Sequence, residues 1–426
     1  MAGLLFGILF LLLFLGVPIG LCLGLGAAFT MIITGDPHLL PVIAQRMFTQ
    51  VDNFTLMAIP LFILAGNLML KGGISKRLIS FIEILGRRLP ARLAAVCVIA
   101  SAFFGAISGS NPATVAAIGG ILAPRMIEKG YPKAEAGAIA ASAGTLGVVI
   151  PPSIPMVTYA VTASVSVGTM FMAGIIPGLL LALVLVILNG IKNSKFDAAD
   201  TTPREPGALG KSFLGALLAL IMPLIILGGI YGGVFTPTEA AAVACVYALI
   251  IGGLVYRELS LKGLFECFRD TVVSSSIVLL VVSLSSPFAW YMTYSNIPAT
   301  VATSMIGLFS NKFALLLVMN VILLFLGMFL ETQSIILLMT PIFLPLANAI
   351  GLSPIALGII MIINTSIGMI TPPMAVNLFV ASGITKSTMG QISKKILPYL
   401  CIEILVLLLL TYVPGIVTFL PNALGA

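Results

Sequence analysis

Residues 108–116 read SGSNPATVA, inside a stretch that is otherwise apolar from Leu93 to Ala123. Ser108, Gly109 and Ser110 offer hydroxyl and carbonyl oxygens there. A second interruption, GTLGVVIPP (144–152), adds the oxygens of Gly144, Thr145, Gly147, Val148 and Pro151. A third set, Glu331, Thr332, Gly368, Met369 and Thr371, has a related composition. A helix broken away from water leaves free carbonyls on one half and free N–H groups on the other. The first attract cations and the second attract anions. Roughly five or six neutral oxygens where two breaks meet suit a small hard cation such as Na+. Ser110 or Asn111 can cap the arm that follows, with Pro112 in its first turn. Ser110, Asn111, Thr332, Pro152 and Pro373 are candidates for contact with an anion. A plainer alternative is that these Ser, Gly and Pro residues only let helices pack closely and bend.

Such breaks need a membrane around them, and composition supplies it. The chain has 426 residues, 60% hydrophobic and 8% charged, with mean hydropathy +1.19. Soluble domains carry about 25% charged residues, so this is a multi-pass, all-α membrane protein. The net charge of +7 reads as topology, with Lys and Arg gathered in cytoplasmic loops, and not as nucleic-acid binding. One histidine, His38, and five scattered cysteines make no transition-metal set. No phosphate-binding G-x-x-x-x-G-K-[ST] loop occurs, and no nucleophile with an acid–base partner stands out, so an enzyme is not expected. No cofactor is expected beyond Na+ as coupling ion. The N-terminal MAGLLFGILFLLLFLGVPIG lacks a basic start and a cleavage site, and reads as a first membrane helix.

Apolar runs of spanning length fall near 3–33, 53–71, 171–191, 213–231, 237–256, 271–290 and 396–420. Segments 71–92, 125–133, 192–212, 257–270 and 386–395 are basic and should share the cytoplasmic face. The apolar stretch 93–124 then begins and ends on one face, with arms too short for two crossings, so it is a re-entrant hairpin with SGSNP at its tip. Irregular backbone at that depth must be buried in protein or line a cavity.

A constant offset of 221 residues pairs Phe104, Pro124, Gly130, Gly147, Pro151, Pro152 and Pro177 with Phe325, Pro345, Gly351, Gly368, Pro372, Pro373 and Pro398. The flanks of the second copy lack the basic residues of the first, so it enters from the opposite face, with ETQS (331–334) at its tip. This is an inverted-topology repeat with two re-entrant hairpins and two broken helices, an arrangement characteristic of secondary transporters. The expected organisation is a first repeat over 1–191 (hairpin 93–124, broken helix 134–167). A linker and connecting helix follow over 192–236. The second repeat covers 237–426 (hairpin 313–345, broken helix 354–385). The count puts the N-terminus in the cytoplasm and the C-terminus in the periplasm. Stretches 38–52 and 257–270 are amphipathic and suit the interface. Of the intramembrane charges, Glu239 fits a capping box with Thr236 and Pro237. Glu331 is balanced between a functional role and capping. Glu403 has no assigned partner. Trp290 and Tyr291 fit an interfacial belt.

GAISGSNPATVAAIGGILAPRMIEKGY (105–131), GTLGVVIPPSIPMVTYA (144–160), FTPTEAAAVA (235–244) and IGMITPPMAVNLFVASGI (367–384) resemble the large membrane subunit of tripartite ATP-independent periplasmic (TRAP) transporters. The resemblance runs along essentially the whole chain. Glu331 stands where that family more often carries Asp, which keeps the charge. The resemblance implies Na+-driven uptake of a small organic acid across the bacterial inner membrane by an elevator motion. A C4-dicarboxylate, sialic acid or a related carboxylate would fit. It also implies two protein partners within the lipid bilayer system: a small four-helix membrane subunit and a periplasmic substrate-binding protein. The alternative is a stand-alone Na+/dicarboxylate or citrate-type symporter, which needs no binding protein.

Overall fold

The computed structural model describes residues 1–197, 208–309 and 311–425, and all regular structure among them is helical. Seven helices among the described residues are long and apolar enough to cross a membrane, and one bent pair makes an eighth span. Arg204, part of the basic loop 192–212, lies outside the described residues.

The opening apolar run is not a single crossing. Helices Ala2–Phe14 and Ile19–Ile33 flank a turn at 15–18. Gly16 there has φ +80°, a conformation that favours glycine, and Pro18 precedes the second helix. The pair folds back on itself. Met1 Sδ lies 3.8 Å and Thr34 Oγ1 3.2 Å from the same Tyr291 hydroxyl. Each arm is roughly 20 Å long at 1.5 Å per residue, short of the 30 Å hydrocarbon core. The expected single helix over 3–33 is therefore a hairpin, and Met1 shares a face with Thr34. The count that placed the N-terminus in the cytoplasm treated this run as one crossing.

A second correction concerns 257–270. It does not lie apart from the crossing that follows, because Leu261–Tyr294 is one 34-residue helix. Ser260 caps it, accepting from Gly263 N–H at 3.0 Å, and the first proline inside it is Pro287. It runs antiparallel to Ala58–Lys71, with Asn67 Nδ2 donating to Thr271 Oγ1 at 2.9 Å and Lys71 paired with Glu266. By contrast, 38–52 forms the separate short helix Leu40–Val51 with no buried residue, as an interfacial helix would. Arg46 sits over the Trp290 ring, which stacks on Tyr294, whereas Tyr291 is fully buried and not part of a belt. Thr236 and Glu239 form the expected capping box at the start of Pro237–Leu249.

Both hairpins are present, slightly longer than expected. The first enters as Arg92–Ser108, turns at Gly109 (φ +58°) and returns over 111–128. Its base is held at one face by Leu93 N–H on Asp197 (2.8 Å) and by Arg125 on Glu83. The second enters as Lys312–Gly327 and returns as Thr332–Ala349, so the turn is 328–331 and only Glu331 of ETQS belongs to it. Its base lies at the other face, where Tyr412 Oη donates to the Phe313 carbonyl at 3.2 Å.

Each broken helix crosses beside its hairpin. The first is Lys133–Val149 and Ile154–Ala163, bent by 41°. The second is Pro354–Gly368 and Val376–Thr385. Paired starts at Asn111 and Thr332, and at Lys133 and Pro354, keep the 221-residue separation that also relates Thr145 to Ser366.

The first broken helix shares a polar knot with Val167–Asn193 and Met389–Tyr412 near the basic face. Lys192 Nζ pairs with buried Glu135 at 2.7 Å, and Tyr399 Oη lies 2.9 Å from the same carboxylate. Removing one partner of a buried pair leaves an uncompensated charge and costs about 3 kcal/mol. Lys192→Met is therefore expected to lower the melting temperature clearly, and Lys192→Met with Glu135→Gln to recover most of the loss. A double variant as unstable as the sum of the singles would refute the pairing.

Candidate functional site

The close approach of each hairpin to its broken helix rests on paired glycines. A Cβ on Gly105 would sit 2.9 Å from the Gly147 Cα, and one on Gly327 would sit 2.9 Å from the Gly368 Cα. No side chain fits at either crossing. Around Gly147 the first tip gathers oxygens. Thr114 Oγ1 donates to the Ser110 carbonyl at 2.8 Å, and the Ser108 and Thr114 hydroxyls are 3.0 Å apart. A Cβ on Gly147 would meet both the Ser110 carbonyl and Thr114 Oγ1 at 2.6 Å. Ser110 occupies the N-cap position with extended backbone, but its side chain makes no capping bond. Its carbonyl, facing the cluster, is the group in use.

Asn111 leaves its own repeat altogether. Its Nδ2 donates to Ser366 Oγ at 2.7 Å, and Ser366 Oγ donates to the Thr145 carbonyl at 2.8 Å. The first tip is thus tied to both breaks. Asn111 Oδ1 is buried with no hydrogen-bond partner among the described residues. From the other tip, Thr332 Oγ1 approaches Met369 Sδ at 3.5 Å, as Asn111 Nδ2 does from the first, and Gln333 Nε2 donates to Thr158 Oγ1.

The two tips meet at a cavity of about 300 Å³. Ser108, Gly109, Ser110, Asn111, Val148, Glu331, Thr332 and Met369 line it. Asn67, Leu70, Ser274 and Ile277 close the opposite wall, on the helices that end in the Lys71–Glu266 pair. Glu331 is the one ionisable residue among the lining. It holds the N-cap position of Thr332–Ala349 without making a side-chain capping bond. The N-termini of both returning arms face this space, so it offers free N–H groups for an anion beside oxygens for a cation.

The other residues singled out from sequence lie elsewhere. Gly144 packs on Val115, and Thr145 is buried behind the tip. Gly147 and Gly368 sit at the crossings. Thr371 Oγ1 donates to the Ile367 carbonyl at 2.8 Å. Pro151 and Pro152 are buried, and Pro373 is exposed, but none of the three lines the cavity; Ile154 and Pro155 do. Thr114, Ser366, Gln333 and Asn67 were not picked out from sequence. Thr114 is one helical turn after Ser110, and Ser366 is the repeat partner of Thr145, so both had a positional signal. Asn67 and Gln333 had only their polarity inside apolar helices.

Comparison with known proteins decides the family. Residues 6–416 match the family described as "Tripartite ATP-independent periplasmic transporter, DctM component". The chain belongs to this TRAP transporter family. The C4-dicarboxylate TRAP transporter large permease protein DctM of Pseudomonas aeruginosa is 41% identical over 406 residues, covering 94% of each chain. The isethionate TRAP transporter permease protein DctMQ of Oleidesulfovibrio alaskensis is 44% identical over 399 residues; the match covers 93% of this chain and 62% of that protein. The sialic acid TRAP transporter large permease protein SiaM of Vibrio cholerae is 36% identical over 379 residues, 89% of each chain. The solved YdaH transporter of Alcanivorax borkumensis shares the fold, with TM-score 0.64 and 16% identity over 88% of this chain and 87% of that one. As a TRAP large permease the chain is a multi-pass transport protein and not an enzyme.

Proposed function

We propose that this TRAP permease couples the inward movement of Na+ to uptake of a small organic acid that a periplasmic binding protein delivers. The observation that carries the reading is the meeting of two opposed tips on one cavity. Its lining combines neutral oxygens, helix N-termini and a single carboxylate, Glu331, with no Lys or Arg. An anionic cargo beside Glu331 is repelled unless cations stand between them. Na+ held near Ser108, Ser110 and Thr114, and near Glu331, Thr332, Gly368, Met369 and Thr371, would supply that charge. The relatives' names point to isethionate, C4-dicarboxylate or sialic acid, and a cavity of about 300 Å³ suits molecules of that size.

The tips and broken helices act as one block that slides against the helices carrying Asn67 and Ser274. With the basic loops cytoplasmic in a bacterial inner membrane, an N-terminal pair that folds back would have its start in the periplasm, on the side of the C-terminus. A small four-helix membrane subunit completes the transporter, and the further length of the DctMQ relative is consistent with it.

The test is reconstitution with that subunit in liposomes. Labelled succinate, sialic acid or isethionate should enter only with an inward Na+ gradient and a matching binding protein. Uptake at equal rate with K+ would sink the sodium coupling. Uptake without a binding protein would favour the stand-alone symporter.

A further inference from the structure

The cavity has two unlike walls. The tips supply one. The other comes from Ala58–Lys71 and Leu261–Tyr294, and its lining is apolar but for Asn67 and Ser274. A polar side chain at membrane depth is costly unless it is paired or faces a water-filled space. The hydroxyls next to this wall are paired. Thr271 Oγ1 donates to the Cys267 carbonyl at 2.7 Å and Ser275 Oγ to the Thr271 carbonyl at 2.6 Å, both buried. Ser274 differs. It is exposed, it lines the cavity, and its hydroxyl makes no hydrogen bond among the described residues.

Thr271 also orients the Asn67 amide. Its one hydroxyl proton goes to the Cys267 carbonyl, which only accepts. Thr271 Oγ1 is therefore the acceptor for Asn67 Nδ2, 2.9 Å away. The nitrogen is committed to Thr271, which leaves Oδ1 as the free acceptor of a residue that lines the cavity. Ser274 adds a group that can donate or accept. Among the described residues no Lys or Arg lines the cavity, and Lys71, at the end of the same helix as Asn67, is paired with Glu266. Such a wall suits a hydroxyl, which has a proton to give and lone pairs to offer. It poorly suits a carboxylate, which has no proton for Oδ1.

We propose that Asn67 and Ser274 bind a hydroxyl group of the cargo, so that the chain prefers hydroxylated organic acids to their deoxy counterparts. The charged end of the cargo stays with the tips. The proposal rests on the reading of this cavity as the transport site, and adds the chemistry of the side that faces away from the tips.

The probes are pairs that differ by one hydroxyl: isethionate with ethanesulfonate, and malate with succinate. Each is added to the full chain with its small subunit in NaCl, and affinity is read from the concentration dependence of the melting temperature. Wild type should bind the hydroxylated member of at least one pair about tenfold more tightly, the scale of one hydrogen bond. Ser274→Ala breaks no side-chain bond among the described residues, and should remove most of that preference, as should Asn67→Leu. Ser275→Ala, one position along but outside the cavity lining, should keep it. Equal affinity within both pairs, absence of binding by all the probes included, would overturn the proposal, and so would a preference that either cavity variant retains in full. Repeating the titrations in KCl separates the two readings. A hydroxyl preference that persists there leaves the wall standing and removes the sodium; Na+-dependent binding without a preference does the reverse.

Discussion

Gly368→Ala is expected to reduce uptake about a hundredfold, the scale on which a 1 Å misplacement of a binding group acts. A Cβ at this position would stand 2.5 Å from the Gly327 Cα and 2.6 Å from its carbonyl carbon. Both are backbone atoms with no rotamer to change, so the hairpin itself must move off the broken helix. The first repeat makes the comparison useful. A Cβ on Gly147 meets the Ser110 carbonyl and Thr114 Oγ1, each at 2.6 Å, and the Thr114 side chain can turn away. The Ser110 carbonyl is backbone and cannot, so Gly147→Ala should shift the first tip and disturb the oxygen cluster, with a somewhat smaller loss of stability than Gly368→Ala. Gly120 has open space around its Cβ direction, and Gly120→Ala should leave uptake unchanged. Uptake rates in reconstituted vesicles, with melting temperatures beside them, check all three. Normal uptake by Gly368→Ala would show that the Gly327–Gly368 crossing does not set the site.

Asn111→Leu is expected to have an effect of similar size, for a different reason. Leucine keeps the volume but removes the donor that reaches Ser366 at 2.7 Å and the unpartnered Oδ1 at the cavity. Leaving a buried polar partner unsatisfied costs about 1–3 kcal/mol, a factor of roughly ten to a hundred. If Asn111 serves the transport site, the loss appears mainly as a higher Na+ concentration for half-maximal uptake. Asn111→Asp keeps the acceptors while giving up the tie to Ser366, so it should lie between wild type and Asn111→Leu at high Na+. Uptake measured against Na+ concentration decides. Equal loss at every Na+ level would make Asn111 a packing residue.

Much of this architecture is legible along the chain, and the parts that are not have physical reasons. The opposed hairpins follow from where Lys and Arg fall, because moving charge across a bilayer is costly and the loops record its side. The repeat follows from glycines and prolines, which mark backbone that no other residue can replace. The folded-back N-terminal pair was signalled by Gly16 and Pro18, but the run around them is so apolar that length alone suggested one crossing. The single helix Leu261–Tyr294 was obscured for the opposite reason: its charged first turns look interfacial in sequence, and only packing on Ala58–Lys71 makes them continue into the span.

The cavity is half legible. Ser108, Gly109, Ser110 and Asn111 stand out because they break an apolar run, and the structure lines the cavity with them. The partnership of Asn111 with Ser366 joins positions 255 residues apart. No local pattern encodes it, and it arises only when the two repeats dock. The proline pairs illustrate the converse. Pro151–Pro152 and Pro372–Pro373 mark the breaks well, but a residue that ends a helix need not face what the break binds. The lining instead takes Ile154 and Pro155, at the start of the resumed half.

The central claim is that Na+ binds where the tips cross the breaks. The most direct measurement is thermal unfolding of the full chain with its small subunit in NaCl and in KCl at equal ionic strength. A ligand that binds only the folded state stabilises it by RT ln(1 + [L]/Kd), about 2.7 kcal/mol at a hundredfold excess over Kd. The account predicts a rise in melting temperature specific to Na+, reduced in Ser108→Ala and Thr114→Val at the first tip and in Thr371→Val at the second break. Identical melting in the two salts, or a Na+ rise that all three variants retain in full, would contradict it.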